Sequence, residues 1–198
     1  MIELINVNNS EPYKIFSEYY YNAIKKKQSS IEAISVSSFN PVKKEVESRF
    51  VNIKYIIDDQ WIFFTNYDSR KGKDFKLHDQ VSVLFFWNSI NLQIRIKAKI
   101  KQTSRQFSDK HFDNRAKDKN VLAVSSDQSK LIDSYDSVVR NYENTLSRKS
   151  SLTRPEYWGG YAFIPYYFEF WEGHKSRINK RTAYDLQQNN WNSFILQP

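Results

Sequence analysis

From Leu92 to Lys101 the chain alternates without a break: Leu92, Ile94, Ile96, Ala98 and Ile100 are apolar, while Gln93, Arg95, Lys97, Lys99 and Lys101 are polar or charged. A strand repeats its side-chain direction every two residues, so this segment fits a strand with one face in a core and the other in water. Shorter β-branched or aromatic runs flank it. Ala33 to Val36, Arg49 to Ile57, Trp61 to Thr65 and Val81 to Trp87 come before; Tyr161 to Glu172, Arg177 to Leu186 and Trp191 to Leu196 come after. Turn residues separate them, which predicts an antiparallel sheet. Two regions break the period. Phe16, Tyr19, Tyr20, Ala23 and Ile24 recur at helical spacing, predicting a helix from Glu11 to Lys27 that ends on Lys25, Lys26 and Lys27. A helical insert is expected over about 104–148, as helices from Ser104 to Arg115 and from Asp127 to Arg148. The second carries Leu131, Ile132, Tyr135, Val138, Val139 and Tyr142 on one side, and Arg148 to Pro155 reads as a loop. The fold class is therefore mainly β with helical additions, a closed or split barrel.

Composition narrows the function. With 198 residues, 40% of them hydrophobic and 16% aromatic, the chain supports one sizeable core, and 1–198 is read as a single domain. Cysteine is absent and histidine limited to His78, His111 and His174, so neither a disulfide framework nor a metal centre is expected. No apolar run is long enough to span a bilayer and Met1 to Lys14 lacks a signal-peptide core, so a soluble cytoplasmic protein without a membrane partner is expected. A net charge of +8 favours an anionic partner. Lys97, Lys99 and Lys101 share a strand face and could meet nucleic acid, but they read more simply as a solvated exterior.

Several clusters are suited to a planar anion. Arg70-Lys71-Gly72 follows a strand and turn and opens a short helix, where backbone N–H groups, the two cations and the Ser69 hydroxyl suit a phosphate. Arg49 and Lys54, read in one strand at odd separation, point to opposite faces. Gln93 offers an amide to the edge of a heterocycle. Arg177 and Arg181, four apart in an expected strand, share a face just after Phe168 to Trp171. The sequence holds no nucleophile elbow, zinc-protease pair, P-loop or dinucleotide fingerprint. His111 reads as a helix-surface histidine and His78 as the cap of its short helix. Such a chain either binds something or lets a cofactor carry its reaction.

Taken in order, these clusters resemble the pyridoxamine (pyridoxine) 5'-phosphate oxidase family, FMN enzymes of the split-barrel fold. The resemblance runs from Glu11-Pro12-Tyr13 to Pro198. It is carried by Phe63-Phe64-Thr65-Asn66-Tyr67 with Ser69-Arg70-Lys71-Gly72, by Gln128-Ser129, by Arg154-Pro155 with Trp158-Gly159-Gly160, and by Glu169-Phe170-Trp171 leading to Arg177 and Arg181.

The resemblance implies FMN held by Arg49, Lys54, Phe64, Thr65, Arg70, Lys71, Gln93, Gln128, Ser129, Trp171 and Arg181. It implies a homodimer with FMN at the interface, dioxygen as acceptor, and a small phosphorylated substrate. Lys54 and Arg115 match the family's phosphate ligands, His111 and Lys119 stand where it has tyrosine and serine, and Arg177 and Asn179 lie beside the ring and the reacting centre. Asn179-Lys180 replace the family's histidine and aspartate, Glu172 replaces a glutamine, and Ile195 replaces an arginine. The implied reaction oxidises pyridoxamine or pyridoxine 5'-phosphate to pyridoxal 5'-phosphate. The alternatives are a phenazine-type biosynthetic FMN oxidase acting on a reduced ring, and a flavin-binding protein without turnover.

Overall fold

The computed structural model describes residues 1–148 and 152–198; part of the loop expected over 148–155 lies outside them. The elements run β1 (Glu3–Ile5), α1 (Glu11–Lys25), β2 (Ala33–Asn40), β3 (Glu45–Asn52), β4 (Tyr55–Ile57), β5 (Gln60–Asn66), α2 (Arg70–Leu77), β6 (Gln80–Trp87), β7 (Leu92–Gln102), α3 (Arg105–Asn114), α4 (Lys117–Ser125), α5 (Tyr135–Leu146), β8 (Trp158–Glu172), β9 (Lys180–Gln187) and β10 (Asn190–Leu196). Mainly β structure in a split barrel is what the alternating segments require. The sheet is mixed, because β1, which gave no sequence signal, pairs parallel with β4.

One sheet contains all ten strands, ordered β1-β4-β5-β8-β7-β6-β2-β3, with β9 added beside β8 and β10 beside β9. The split occurs at β8. Its first half, from Trp158 to Phe163, pairs with β5, while its second half, from Tyr167 to Glu172, pairs with β9. The exchange falls at a bulge against β7, where Lys97 faces Tyr167 but Ala98 faces Pro165. A bulge absorbs one unpaired residue and bends the strand, and it is where a sheet accepts proline.

Helix α1 fills the interior. Pro12 in its first turn has a fixed φ suited to a helix start, and Pro12, Tyr13, Phe16, Tyr20 and Ala23 make the buried stripe. Phe16 packs edge-on to Trp61 at 4.4 Å and lies 5.7 Å from Phe85, and Tyr13 meets Phe168 at 5.2 Å. The inward residues of β7 complete this core, with Ile94, Ile96 and Ala98 fully buried.

Three sequence expectations change. Arg49 to Ile57 is not one strand: β3 ends at Asn52 and β4 begins at Tyr55. Between them Ile53 N–H donates to Glu32 O and Lys54 N–H to Ile62 O, as the chain leaves β2 for β5. The long second helix is also different. α4 precedes it, α5 starts only at Tyr135, and Leu131, Ile132, Tyr135 and Val139 are exposed rather than forming a buried stripe. Finally, Arg177 is not in a strand with Arg181, since β9 begins at Lys180.

Candidate functional site

Ser69 caps α2: its extended backbone and its Oγ, 3.4 Å from Gly72 N, begin the helix. Gly72 is required by close approach, since a Cβ there would lie 2.7 Å from the Tyr67 carbonyl carbon. That packing brings Lys71 inward, to 7% exposure. Its ammonium donates to Thr65 Oγ1 (3.0 Å), Ser69 Oγ (3.2 Å) and Gln128 Oε1 (3.4 Å), all neutral acceptors. Among the described residues no carboxylate comes within ion-pair distance of it. Burial, with Arg49 adding repulsion, pushes the Lys71 pKa down to about 8. A buried ammonium held only by neutral oxygens is poised for an external anion. Arg70 is exposed and pairs with Glu47, which also pairs with Arg49.

Thr65 and Gln128 lead into a cleft of about 210 Å³ whose walls include Phe64, Trp158, Arg115 and Lys119. His111 lies flat on Phe64, with centroids 3.6 Å apart, and its Nδ1 shares a 2.9 Å hydrogen bond with the Tyr55 hydroxyl. It is thus half-buried in an aromatic stack rather than a helix-surface residue. Burial, then Arg115 and Lys54, pushes its pKa down to about 4, so it is neutral near pH 7. Arg115 stacks over Trp158 at 4.8 Å and donates to the Lys119 carbonyl. Burial lowers the Lys54 pKa, and Lys119 and Arg115 lower it further against the opposing pull of Glu32. Arg115 and Lys119 thus disfavour the charged form of Lys54, and the three side chains together make a positive cluster whose charge suits an anion. Ser129, next to Gln128, holds a left-handed backbone with φ 73°.

The remaining expected residues lie elsewhere. Gln93, Trp171 and Arg181 form one row across β7, β8 and β9, paired Gln93 to Trp171 and Trp171 to Arg181. Arg177, in a turn with φ 61°, and Asn179 stand at the end of the row, where Asn179 Oδ1 accepts the His174 N–H at 3.0 Å. Gly159, facing Thr65, and Trp171 are at opposite ends of β8, about 40 Å of strand at ~3.3 Å per residue. The structure therefore gathers Arg49, Lys54, Phe64, Thr65, Arg70, Lys71, His111, Arg115, Lys119, Gln128 and Ser129 at one end, and Gln93, Trp171, Arg177, Asn179 and Arg181 at the other.

Four residues with a part in this arrangement have no site role in the sequence reading, although Trp158 and Glu169 lie within its motifs. Tyr55 anchors His111, Trp158 carries Arg115, and Glu47 bridges Arg49 and Arg70. Glu169, 1% exposed, accepts from Arg95 (2.8 Å), Tyr167 (3.1 Å) and Arg181 Nε (2.9 Å), fixing the row's arginine. Its signal was present, because a glutamate inside an aromatic strand run needs a buried partner.

Comparison with known proteins places this arrangement in context. Residues 23–148 match the family model described as pyridoxamine 5'-phosphate oxidase, and 158–198 match that of the pyridoxine 5'-phosphate oxidase C-terminal dimerisation region. The chain is 34% identical over 193 residues to a pyridoxine/pyridoxamine 5'-phosphate oxidase of Hydrogenovibrio crunogenus, covering 96% of this chain and 89% of that one. It is 38% identical over 170 residues to the Cytophaga hutchinsonii protein of that name, covering 84% and 79%. In fold it is similar to PhzG from Burkholderia lata, solved with tetrahydrophenazine-1-carboxylic acid (TM-score 0.90, 24% identity, 96% and 93% covered). It is also similar to a pyridoxamine 5'-phosphate oxidase-related, FMN-binding protein from Nostoc punctiforme (TM-score 0.79, 12% identity, 96% and 100% covered).

Proposed function

The chain belongs to the pyridoxine/pyridoxamine 5'-phosphate oxidase family, and from that premise we propose that it is an FMN-dependent oxidase. Its substrate is pyridoxamine or pyridoxine 5'-phosphate, its product pyridoxal 5'-phosphate, and its electron acceptor dioxygen. The observation that carries this reading is Lys71: a buried ammonium with three neutral oxygen partners, near Arg49, two of whose partners, Thr65 and Gln128, line a cleft that also holds Arg115 and Lys119. That donor set fits the phosphate of FMN, with Arg49, Thr65, Arg70 and Lys71 as its holders. Bound FMN would supply the redox chemistry: the substrate loses hydride from its donor carbon and a proton from its amine or hydroxyl, dioxygen takes up both electrons and both protons as hydrogen peroxide, and water releases ammonia from the imine of the amine substrate.

The protein's own part is to bind and orient. Lys54, Arg115 and Lys119 take the substrate phosphate, while Phe64, with His111 stacked on it, and Trp158 wall the cleft and exclude water. Neutral His111 keeps a hydrogen-bonding nitrogen there without adding charge. The row of Gln93, Trp171 and Arg181 is too far along β8 to serve the same copy's cleft, which supports a homodimer in which each copy lends its row to the other's cofactor. The outward sheet face beside this row exposes Phe50, Leu84 and Phe86, as a protein interface would.

The second reading, a biosynthetic FMN oxidase acting on a reduced ring, rests on Asn179, which cannot ionise as the family's histidine can. Two measurements test these readings. Replacing Arg70 and Lys71 together by alanine should weaken FMN binding by about two orders of magnitude or more, and unchanged affinity refutes the phosphate site. Peroxide formed from pyridoxamine 5'-phosphate, and not from reduced tricyclic carboxylates, supports the first substrate class; the reverse supports the second.

A further inference from the structure

The phosphate-binding end already contains an anion. Glu47 Oε2 lies 3.0 Å from an Arg49 Nη and Oε1 lies 3.1 Å from an Arg70 Nη, so one carboxylate spans two of the cations assigned above to the FMN phosphate. Two explanations compete. Glu47 could hold the arginines in place for the ligand, or occupy them against it.

Their other contacts decide between these. Arg49 does not need Glu47 for its orientation: its other Nη donates to Ser38 Oγ at 2.7 Å, and Ser38 in turn donates to Asp74 Oδ2 at 2.8 Å. Arg70 is 71% exposed at its side chain, and a surface pair of that kind imposes little order. Removing Glu47 would leave Arg49 in position and release Arg70. Keeping it sets a negative charge in hydrogen-bond contact with both donors, where a dianion must displace it or bind beside it. Both outcomes oppose binding. Lys71 differs, because no carboxylate competes for it among the described residues.

We propose that Glu47 is an internal competitor for the phosphate site, an affinity-setting residue that raises the charge an incoming ligand must bring. The inference rests on the assignment of the Arg49, Arg70 and Lys71 end to the FMN phosphate. Glu47→Gln keeps the shape and removes the charge. Titration of the apo protein should show FMN binding about three- to tenfold tighter in this variant, with riboflavin, which lacks the phosphate, bound as in the wild type. Glu47→Ala should act in the same direction and serves if the glutamine variant fails to fold. FMN affinity that is unchanged or weaker overturns the proposal, the weaker result making Glu47 an organiser of the arginines. Equal tightening of FMN and riboflavin also overturns it, since the effect would not pass through the phosphate. The Arg70→Ala, Lys71→Ala double variant separates the two levels. If it binds FMN normally, the phosphate assignment fails and takes Glu47's role with it; if it binds FMN poorly while Glu47→Gln changes nothing, only the competitor role fails.

Discussion

On the proposed reading, the depressed pKa of Lys71 makes FMN binding pH-dependent in a way that isolates one side chain. Moving an ammonium from 10.5 to about 8 withholds about 3 kcal/mol from the charged, folded form near neutral pH. The folded protein holds this proton less tightly than the unfolded chain does. Lys71 therefore detracts most from stability below pH 8, and that cost is relieved as the pH rises from about 8 toward 10.5. A phosphate dianion beside the ammonium acts in the opposite direction and restores its pKa. At pH 8 about half of the Lys71 side chains are neutral, so each FMN bound should draw in about half a proton from solution. Between pH 7 and pH 9 the protonated fraction falls from about nine-tenths to about one-tenth, which weakens FMN affinity about tenfold. Calorimetric titrations at pH 8 in two buffers of different ionisation enthalpy read the proton uptake directly, with riboflavin as the control. Lys71→Met should lose both the uptake and the pH slope. Equal affinity at pH 7 and pH 9, or an unchanged slope in Lys71→Met, refutes the reasoning.

Three further outcomes are expected. Glu169→Ala removes a buried carboxylate from two arginines, one of them half-exposed and free to reach water, so it should cost about 2–4 kcal/mol and lower the melting temperature by about 5–10 °C; a fall under about 2 °C counts against the network. Gly72→Ala forces α2 away from Tyr67 and should cost about 1–3 kcal/mol while weakening FMN binding, as denaturant titration and fluorescence would show. Phe86→Asp places a charge on the exposed face next to Gln93, and sedimentation should show the wild type as the proposed dimer and the variant as monomer; a dimer that persists in the variant places the interface elsewhere.

How much of this could be read from the sequence depends on whether an element's signal is local. The alternation of β7 and the stripe of α1 are local and complete, so they were legible. The break after Asn52 was not, because Ile53 and Lys54 interrupt no apolar run and the cause is a change of partner from β2 to β5. α4 begins at Lys117 behind Ala116, which supplies no side-chain cap, so nothing marks its start. α5 did carry a mark: Ser134 Oγ accepts the Ser137 N–H at 3.2 Å. The apolar Leu131 and Ile132 upstream obscured it by imitating an earlier turn. At the site, residue types were legible and their company was not. Thr65 and Gln128 meet across 63 positions. Nor did Arg181 and Lys71 reveal that they belong to opposite ends of β8, because that depends on the pairing of β8 with β5 along one half and β9 along the other.

That separation also bears on the residues that depart from the family pattern. On the proposed reading, His111 and Lys119 stand beside Lys54 and Arg115 at the basic cleft, so these substitutions leave anion binding to groups already present. Asn179 is at the other end, and its Oδ1 is engaged by the His174 N–H, closing the turn that holds Arg177 in a left-handed conformation. Left-handed backbone at a non-glycine residue persists where surrounding contacts impose it. The side chain that replaces the family's histidine thus acts on its own turn, and through that turn on Arg177. On the proposed reading, the ring end of the site depends on how firmly this turn holds Arg177, while affinity for the phosphate is set independently at the far end of β8.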